Sequence, residues 1–184
     1  IKQVIKGLPE HSALILSNSS AVRYAQLFPI KAKDVIVSCN RGINGIDGSL
    51  SAAVGFANAQ PTRDCFLLIG DLSFFYDMNG LWNTHLPSNL KIILINNGGG
   101  EIFRVLPGLE KTEATETFVM ASHQTEAKGW VESVDACYYC AKEKESADHC
   151  IVQLFAKSSK TTVTEFFTDS SVDVTEYKKV FQKQ

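Results

Sequence analysis

The chain has 184 residues, of which 45% are hydrophobic and 21% are charged, and its formal net charge is -2. A chain of this length and composition can bury a large core as one domain, and nothing in it indicates disorder. The slight negative charge argues against a surface for nucleic acid or a polybasic membrane patch, and no apolar run approaches the roughly 20 residues that span a bilayer. We therefore expect one domain, residues 1–184, that binds neither nucleic acid nor membrane.

The first half of the chain alternates short apolar runs with helical patterns. The apolar runs predict strands at residues 13–16, 34–37, 65–69 and 91–95, with helices near 22–27, 50–59 and 78–82 between them. These strands are apolar throughout, as parallel strands are when helices cover both faces of the sheet. The pattern predicts an α/β fold, a parallel β-sheet with helices on both faces.

The second half continues the alternation less clearly. Helices are predicted at residues 125–133, 146–156 and 175–181, and strands at 136–140 and 161–167. Residues 106–118 are polar, contain Pro107 and Gly108 and lack periodicity, so we expect a loop or a mobile flap there.

Five cysteines are spread along the chain, at positions 39, 65, 137, 140 and 150. This odd number is not the even framework of a small secreted domain, and it favours a reducing cytoplasm. Cys137 and Cys140 form a C-x-x-C motif in a predicted strand, without a second such pair to complete a zinc site. We expect buried structural thiols, with a redox or metal role as the less favoured alternative.

Polar residues follow four of the predicted strands, at residues 17–19, 40–42, 70–71 and 96–100. Ligands of parallel sheets bind beyond the carboxyl ends of the strands, so these residues should meet. Asp71 and Asn97, 26 residues apart, are hard oxygen donors suited to Mg²⁺, and Ser73 with the N–H groups of the following helix could bind phosphate. The alternative is that Asp71 caps its helix and the glycines after Asn97 only turn the chain.

This spacing resembles the thiamine diphosphate signature, in which Asn follows Gly-Asp by about 25 to 30 residues. Residues 38–48 (SCNRGINGIDG), 70–73 (GDLS) and 96–103 (NNGGGEIF) resemble a narrower family, the MenD synthases of the menaquinone pathway. The similarity lies within residues 17–107. Cys39 and Gly98 depart from the family pattern, but both flank the expected contacts.

The resemblance implies a cofactor site for thiamine diphosphate with Mg²⁺ or Mn²⁺. The side chains of Asp71 and Asn97 and the carbonyl of Gly99 would bind the metal ion. Ile46 would be the apolar wedge that bends the cofactor into its reactive shape. The full set of implied cofactor contacts is Ile46, Gly70, Asp71, Leu72, Ser73, Asn97, Gly99 and Ile102.

The resemblance also implies the substrates 2-oxoglutarate and isochorismate. Both carry carboxylates, which a guanidinium can grip with two hydrogen bonds. The implied substrate-binding residues are Asn18, Ser19, Arg23, Arg41, Phe103 and Leu106. Arg23 and Arg41, with Ile46, are the implied catalytic residues. For His11, His85, His123 and His149 we expect surface or structural roles.

Enzymes of this family take a catalytic glutamate from an N-terminal pyrimidine-binding domain, usually of a neighbouring subunit. No part of this chain resembles that domain, and the chain starts at Ile1. The resemblance thus implies a C-terminal fragment of a longer enzyme, a homodimer or homotetramer, and a chain that is inactive alone. Two other functions stay open: an acetolactate-synthase-like carboligase or decarboxylase, and a non-catalytic assembly domain.

Overall fold

The computed structural model describes residues 1–106, 108 and 114–181. Six parallel strands of this part form one sheet in the order β2-β1-β3-β4-β6-β5. The strands are β1 (Ser12–Leu16), β2 (Ile36–Cys39), β3 (Asp64–Gly70), β4 (Leu90–Asn96), β5 (Cys137–Ala141) and β6 (Thr162–Phe167). The predicted parallel sheet is therefore confirmed.

Helices pack on both faces of this sheet, as predicted. They are α1 (Lys2–Gly7), α2 (Ser20–Ala25), α3 (Ser49–Ala59), α4 (Asp71–Tyr76), α5 (Lys128–Ser133), α6 (Lys144–Phe155) and α7 (Ser170–Phe181). Successive residues of a strand point to opposite faces, so the central strand β3 contributes to two cores. Leu67 and Ile69 join the cluster under α3 and α5, whereas Phe66 and Leu68 join the cluster under α1, α2 and α6.

Several boundaries differ from the predictions. Strand β2 starts two residues later than expected, and α7 starts five residues earlier. The loop expected at 106–118 is wrong at its far end, because Thr115–Val119 form a π-helical turn closed by Met120 N–H donating to the carbonyl of Thr115. Residues 107 and 109–113 of that prediction lie outside the described residues. Within the described ranges, none of the helices has the length and apolar character needed to cross a bilayer.

The cysteines lie as expected only in part. The described thiols form no disulfide, and Cys65 and Cys150 are buried. Cys140 is exposed and Cys137 half-buried, so the expectation that both are buried is wrong. They lie on β5 as predicted, and their odd spacing points the side chains to opposite faces of the sheet.

The order of the strands determines where in the sheet the site lies. Strand β1 has β2 on one side and β3 on the other, so the chain reverses its direction of growth between β1 and β3. A crevice forms beyond the carboxyl ends of the strands at such a point. Residues 17–19, 71 and 97–100 follow β1, β3 and β4 directly and border this crevice.

Candidate functional site

A cavity of about 690 Å³ opens at this edge of the sheet. It brings together most of the residues predicted for the site, namely Asn18, Ser19, Ile46, Gly70, Asp71, Leu72, Ser73, Asn97, Gly99, Ile102 and Phe103. Ser19 adopts a φ of 67°, a strained conformation for a non-glycine residue of the kind that gathers at functional sites. Three of the four predicted strand ends, those of β1, β3 and β4, therefore share one cavity, whereas residues 40–42 after β2 do not line it.

Asp71 organises the centre of this cavity. It is 3% exposed and begins α4. Its Oδ2 accepts the backbone N–H groups of Asn97, Gly98 and Gly99 at 3.1, 2.8 and 3.0 Å, and its Oδ1 accepts the N–H of Leu72 at 2.7 Å. Burial raises the pKa of this carboxyl, against the lowering effect of these donors. Asp71 thus joins the end of β3 to residues 97–100, which we call the glycine loop.

Asn97 presents an unused acceptor. Its Oδ1 is buried and has no hydrogen-bond partner among the described residues, while its Nδ2 donates to Glu101 Oε2. Buried polar atoms are rarely left without a partner. The contact with Glu101 fixes which end of the amide is the oxygen, because a donor must face the carboxyl group. An orphaned oxygen beside a buried carboxylate is the arrangement that a cation would complete.

The available donors fit Mg²⁺ better than a transition metal. In the described part of the chain, no three His, Cys, Asp or Glu side chains are grouped to hold a metal ion. Asp71, Asn97 and the Gly99 carbonyl offer a few hard oxygen atoms, and Mg²⁺ usually completes its coordination with water and phosphate. The Gly99 carbonyl oxygen also accepts the N–H of Glu101 at 3.0 Å. Its second lone pair stays available for a metal ion.

The glycine loop requires glycine at position 99. Gly99 has a φ of +150°, and a Cβ built there would lie 2.7 Å from the carbonyl oxygen of Met120. The segment after the π-helical turn braces the loop: Gly100 N–H donates to Met120 O at 2.6 Å and His123 N–H to Gly98 O at 3.0 Å. The glycines therefore allow a close approach between two backbone segments in addition to a turn.

His123 lies at the site, although we expected only a surface or structural role for it. Its Nδ1 accepts the N–H of Thr125 at 3.1 Å, so in the neutral ring the hydrogen is on Nε2. That nitrogen lies 3.3 Å from Asp71 Oδ2, but it makes no hydrogen bond among the described residues. The ring also packs edge-on against Phe75. No motif contains His123, and only the fold brings it to Asp71.

A second carboxyl pair borders the cavity. Burial and the nearby carboxyl of Asp173 together raise the pKa of Glu101 to about 7. The pKa of Asp173 is also raised, mainly by burial, although a hydrogen bond with Glu101 favours its charged form. The two groups are thus suited to share one proton. Through this pair, α7 contacts the residue that orients Asn97.

Asn18 and Ser73 use their side chains to hold the loop of residues 40–48. Asn18 Nδ2 donates to the carbonyls of Asn40 and Gly45 at 2.6 and 2.5 Å. The Ser73 hydroxyl donates to the carbonyl of Ile46. A hydroxyl has one hydrogen, so in this arrangement Ser73 cannot also donate to a phosphate oxygen. Both residues position Ile46 at the cavity wall.

Three predicted substrate residues lie outside the cavity lining. Arg23 on α2, Arg41 after β2 and Leu106 are all exposed. Arg41 lies beside Ile43, which is 95% exposed. The structure brings the predicted cofactor and metal residues together, and it leaves these three outside the cavity lining.

Similar proteins share one description. The chain is 48% identical over 176 residues to the 2-succinyl-5-enolpyruvyl-6-hydroxy-3-cyclohexene-1-carboxylate synthase of Bacteroides fragilis, covering 94% of this chain and 31% of that protein. The synthase of that name from Bacteroides thetaiotaomicron is 50% identical over 145 residues, with 79% and 26% covered. The one from Desulfotalea psychrophila is 43% identical over 138 residues, with 75% and 25% covered. The chain spans less than a third of the length of these curated relatives.

A family model gives the same assignment for the larger part of the chain. The model described as "Thiamine pyrophosphate enzyme, C-terminal TPP binding domain" matches residues 19–165. This range includes the loop of residues 40–48, Asp71 and the glycine loop, which together form the cavity edge described above. The chain therefore belongs to the thiamine pyrophosphate enzymes and forms the C-terminal TPP-binding domain of that family.

Proposed function

We propose that the chain is the Mg²⁺- and diphosphate-binding domain of a synthase that joins decarboxylated 2-oxoglutarate to isochorismate in menaquinone biosynthesis. The observation that carries the metal and cofactor part is the buried, unpartnered Oδ1 of Asn97 beside the buried carboxylate of Asp71. The substrates rest on the description shared by the similar proteins. Asp71, Asn97 Oδ1 and the Gly99 carbonyl hold the metal ion, either Mg²⁺ or Mn²⁺.

The remaining cavity residues bind the cofactor. Gly70 and Leu72 lie beside Asp71 at the start of α4, and Ile102 follows the glycine loop on the apolar side of the cavity. Ile46, held by Ser73, is the wedge beneath the cofactor rings. When bound, thiamine diphosphate supplies the carbon nucleophile and the electron sink for decarboxylating a 2-oxo acid. The protein residues bind it, orient it and exclude water.

Arg23 and Arg41 bind the substrate carboxylates in this proposal, with Asn18, Ser19, Phe103 and Leu106 completing the pocket. A guanidinium matches a carboxylate with two parallel hydrogen bonds, and this selects dicarboxylate donors over pyruvate. Both arginines are exposed, which agrees with a site that a second domain completes.

That second domain is an N-terminal pyrimidine-binding domain that supplies the catalytic glutamate, within a homodimer or homotetramer in the cytoplasm. Two observations support it: the relatives are more than three times as long as the matched region, and this chain exposes large apolar side chains. Ile43 is 95% exposed and Trp82 80% exposed. Exposed apolar residues rimmed by polar ones are typical of interaction surfaces.

The test is a carboligation assay on the intact enzyme that carries this chain. Thiamine diphosphate, Mg²⁺, 2-oxoglutarate and isochorismate are supplied, and the product is identified by mass. A succinyl adduct of the expected mass supports the proposal, and Arg41→Lys should then reduce turnover because lysine cannot form the paired hydrogen bonds. Carbon dioxide release from pyruvate without the adduct would instead favour an acetolactate-synthase-like carboligase or a decarboxylase.

A further inference from the structure

Glu165 is a buried carboxylate that the proposed function does not use. It lies in β6 and is 0% exposed. Its Oε1 accepts Nδ2–H of Asn96 at 2.7 Å, its Oε2 accepts the hydroxyl of Tyr138 at 2.5 Å, and both oxygens accept the N–H of Ala127, at 3.3 and 3.1 Å. All of these partners are neutral. Burying a carboxyl group in a core costs free energy, so packing alone does not explain why this position carries one.

Asn96 connects this carboxylate to the glycine loop. Besides its contact with Glu165, its Nδ2 donates to the carbonyl of Thr125 at 2.9 Å. Its Oδ1 accepts the N–H of Gly98 at 3.2 Å, the same N–H that donates to Asp71 Oδ2 at 2.8 Å. Glu165 and Thr125 thus orient the Asn96 amide, and the oxygen of that amide shares the Gly98 N–H with Asp71.

A second path from Glu165 reaches the same loop. The N–H of Ala127 ends a segment that begins at Met120 and runs past His123. This segment contacts the loop at two points, through Met120 O with Gly100 N–H and through His123 N–H with Gly98 O. Glu165 thus supports the glycine loop in two ways. Its Oε1 accepts from the side chain of Asn96, and both of its oxygens accept from the backbone N–H of Ala127.

We propose that Glu165 is a positioning residue, which sets the geometry of the glycine loop through Asn96 and so tunes the affinity of the site for Mg²⁺. The inference rests on the proposed function, since it assumes the metal site at Asp71 and Asn97. Hydrogen-bond partners behind the ligands typically change metal affinity about 10–100-fold when they are removed.

Three substitutions separate this role from a general structural one. Glu165→Leu removes both acceptors and should weaken Mg²⁺ binding about 10–100-fold. Glu165→Gln should restore it, because the amide oxygen can accept from both Asn96 and the N–H of Ala127 while the NH₂ group donates to the Tyr138 oxygen. Tyr138→Phe removes a donor on the side away from the loop, so it should lower the unfolding temperature and leave Mg²⁺ affinity unchanged.

Two further variants keep the test decisive. If Glu165→Leu does not fold, Glu165→Asp keeps the carboxylate and withdraws it from Asn96, and the same loss of affinity is expected. Asn96→Ala cuts the link itself and should reproduce the loss. Combined with Glu165→Asp, it should cost less than the sum of the two single losses, because the two residues share the contact between Asn96 and Glu165.

The measurement is calorimetric titration of Mg²⁺ into the metal-free intact enzyme at a fixed, saturating concentration of thiamine diphosphate. Folding is verified by circular dichroism. The inference is overturned if Glu165→Asp and Glu165→Leu keep wild-type affinity, or if Tyr138→Phe loses as much affinity as they do. Wild-type enzyme that shows no Mg²⁺-dependent binding would instead overturn the metal site, and the proposed function with it.

Discussion

The amide of Asn97 illustrates how one contact can define a ligand. Its Nδ2 donates to Glu101, and this leaves Oδ1 facing the cavity as the free acceptor. Without that contact the amide could rotate and present a donor to a cation, which would repel it. Glu101 is therefore as important for the proposed metal site as the glycine loop itself.

This dependence gives a prediction for Glu101. Replacing Glu101 with Leu should weaken Mg²⁺ binding by about tenfold or more, because the Asn97 amide loses the acceptor that orients it. Glu101→Gln should bind Mg²⁺ much more tightly than the leucine variant, because its amide oxygen can accept from Asn97. Metal titrations at constant pH measure both values. Equal affinities for the two variants would show that Glu101 does not orient Asn97.

Asp34 gives a prediction for stability against pH. A hydrogen bond with His11 and the guanidinium of Arg63 hold the pKa of this carboxyl below its ordinary value of 3.8. A lowered pKa in the folded state means that the charged carboxylate stabilises the fold above the unfolded value, and that this contribution is lost as the pH falls through the folded value. The Asp34→Asn variant should therefore unfold more easily than wild type near neutral pH.

The difference between Asp34→Asn and wild type should disappear in acid. Thermal unfolding measured from neutral pH down to below the folded pKa tests this, with Asp148→Asn on the exposed side of α6 as a control that lacks the contact with Arg63. A constant difference across the whole range would contradict the assignment.

At the scale of elements, the sequence predicted the presence of the strands better than their first and last residues. The central strands β3 and β4 match within one residue, because continuous apolar runs reflect burial on both faces. Strand β2 is displaced because it is an edge strand with exposed Ile36 and Val37, and its limits depend on pairing with β1 alone. Helix α1 was not predicted, since its six residues are too few for a periodic pattern and depend on packing of Val4 and Ile5.

The site could be predicted to a similar extent. Asp71 and Asn97 follow strands directly, so the topology alone brings them together. His123 and Asp173 come from a loop and a distant helix that only tertiary packing brings to Asp71 and to Glu101, and no local pattern marks them. Sequence reasoning finds residues that secondary structure positions, and it misses those that the surrounding loops position.

The close approach at Gly99 predicts a selective loss. Gly99→Ala should lower both stability and Mg²⁺ affinity, because the new methyl group meets Met120 O at 2.7 Å in a backbone conformation that alanine disfavours. Gly55→Ala, on the exposed face of α3 with open space around it, is the matched control and should raise the free energy of unfolding by about 0.5–1 kcal/mol. Chemical unfolding of both variants measures the difference. A stable, fully binding Gly99→Ala enzyme would refute the tight contact.

At the scale of the whole molecule, the proposed function makes the described chain one half of an active site. Its cavity holds the residues proposed to bind metal and diphosphate, while the arginines, Ile43 and Trp82 are exposed. The matched region is less than a third of the length of the Bacteroides fragilis relative. We therefore expect the chain alone to release no carbon dioxide from 2-oxoglutarate. Activity assays with and without added N-terminal domain test this. Turnover by the chain alone would mean that the site is complete without a partner.

In the proposed function, Asp71 and Asn97 bind thiamine diphosphate through a divalent metal ion. The most direct measurement is calorimetric titration of thiamine diphosphate into the intact enzyme with Mg²⁺ and with EDTA, for wild type, Asp71→Ala and Asn97→Ala. We predict binding by wild type in Mg²⁺, a large loss in EDTA, and a comparable loss for both variants while the fold is retained. Undiminished binding by Asp71→Ala, or equal wild-type affinity in EDTA, would contradict the account.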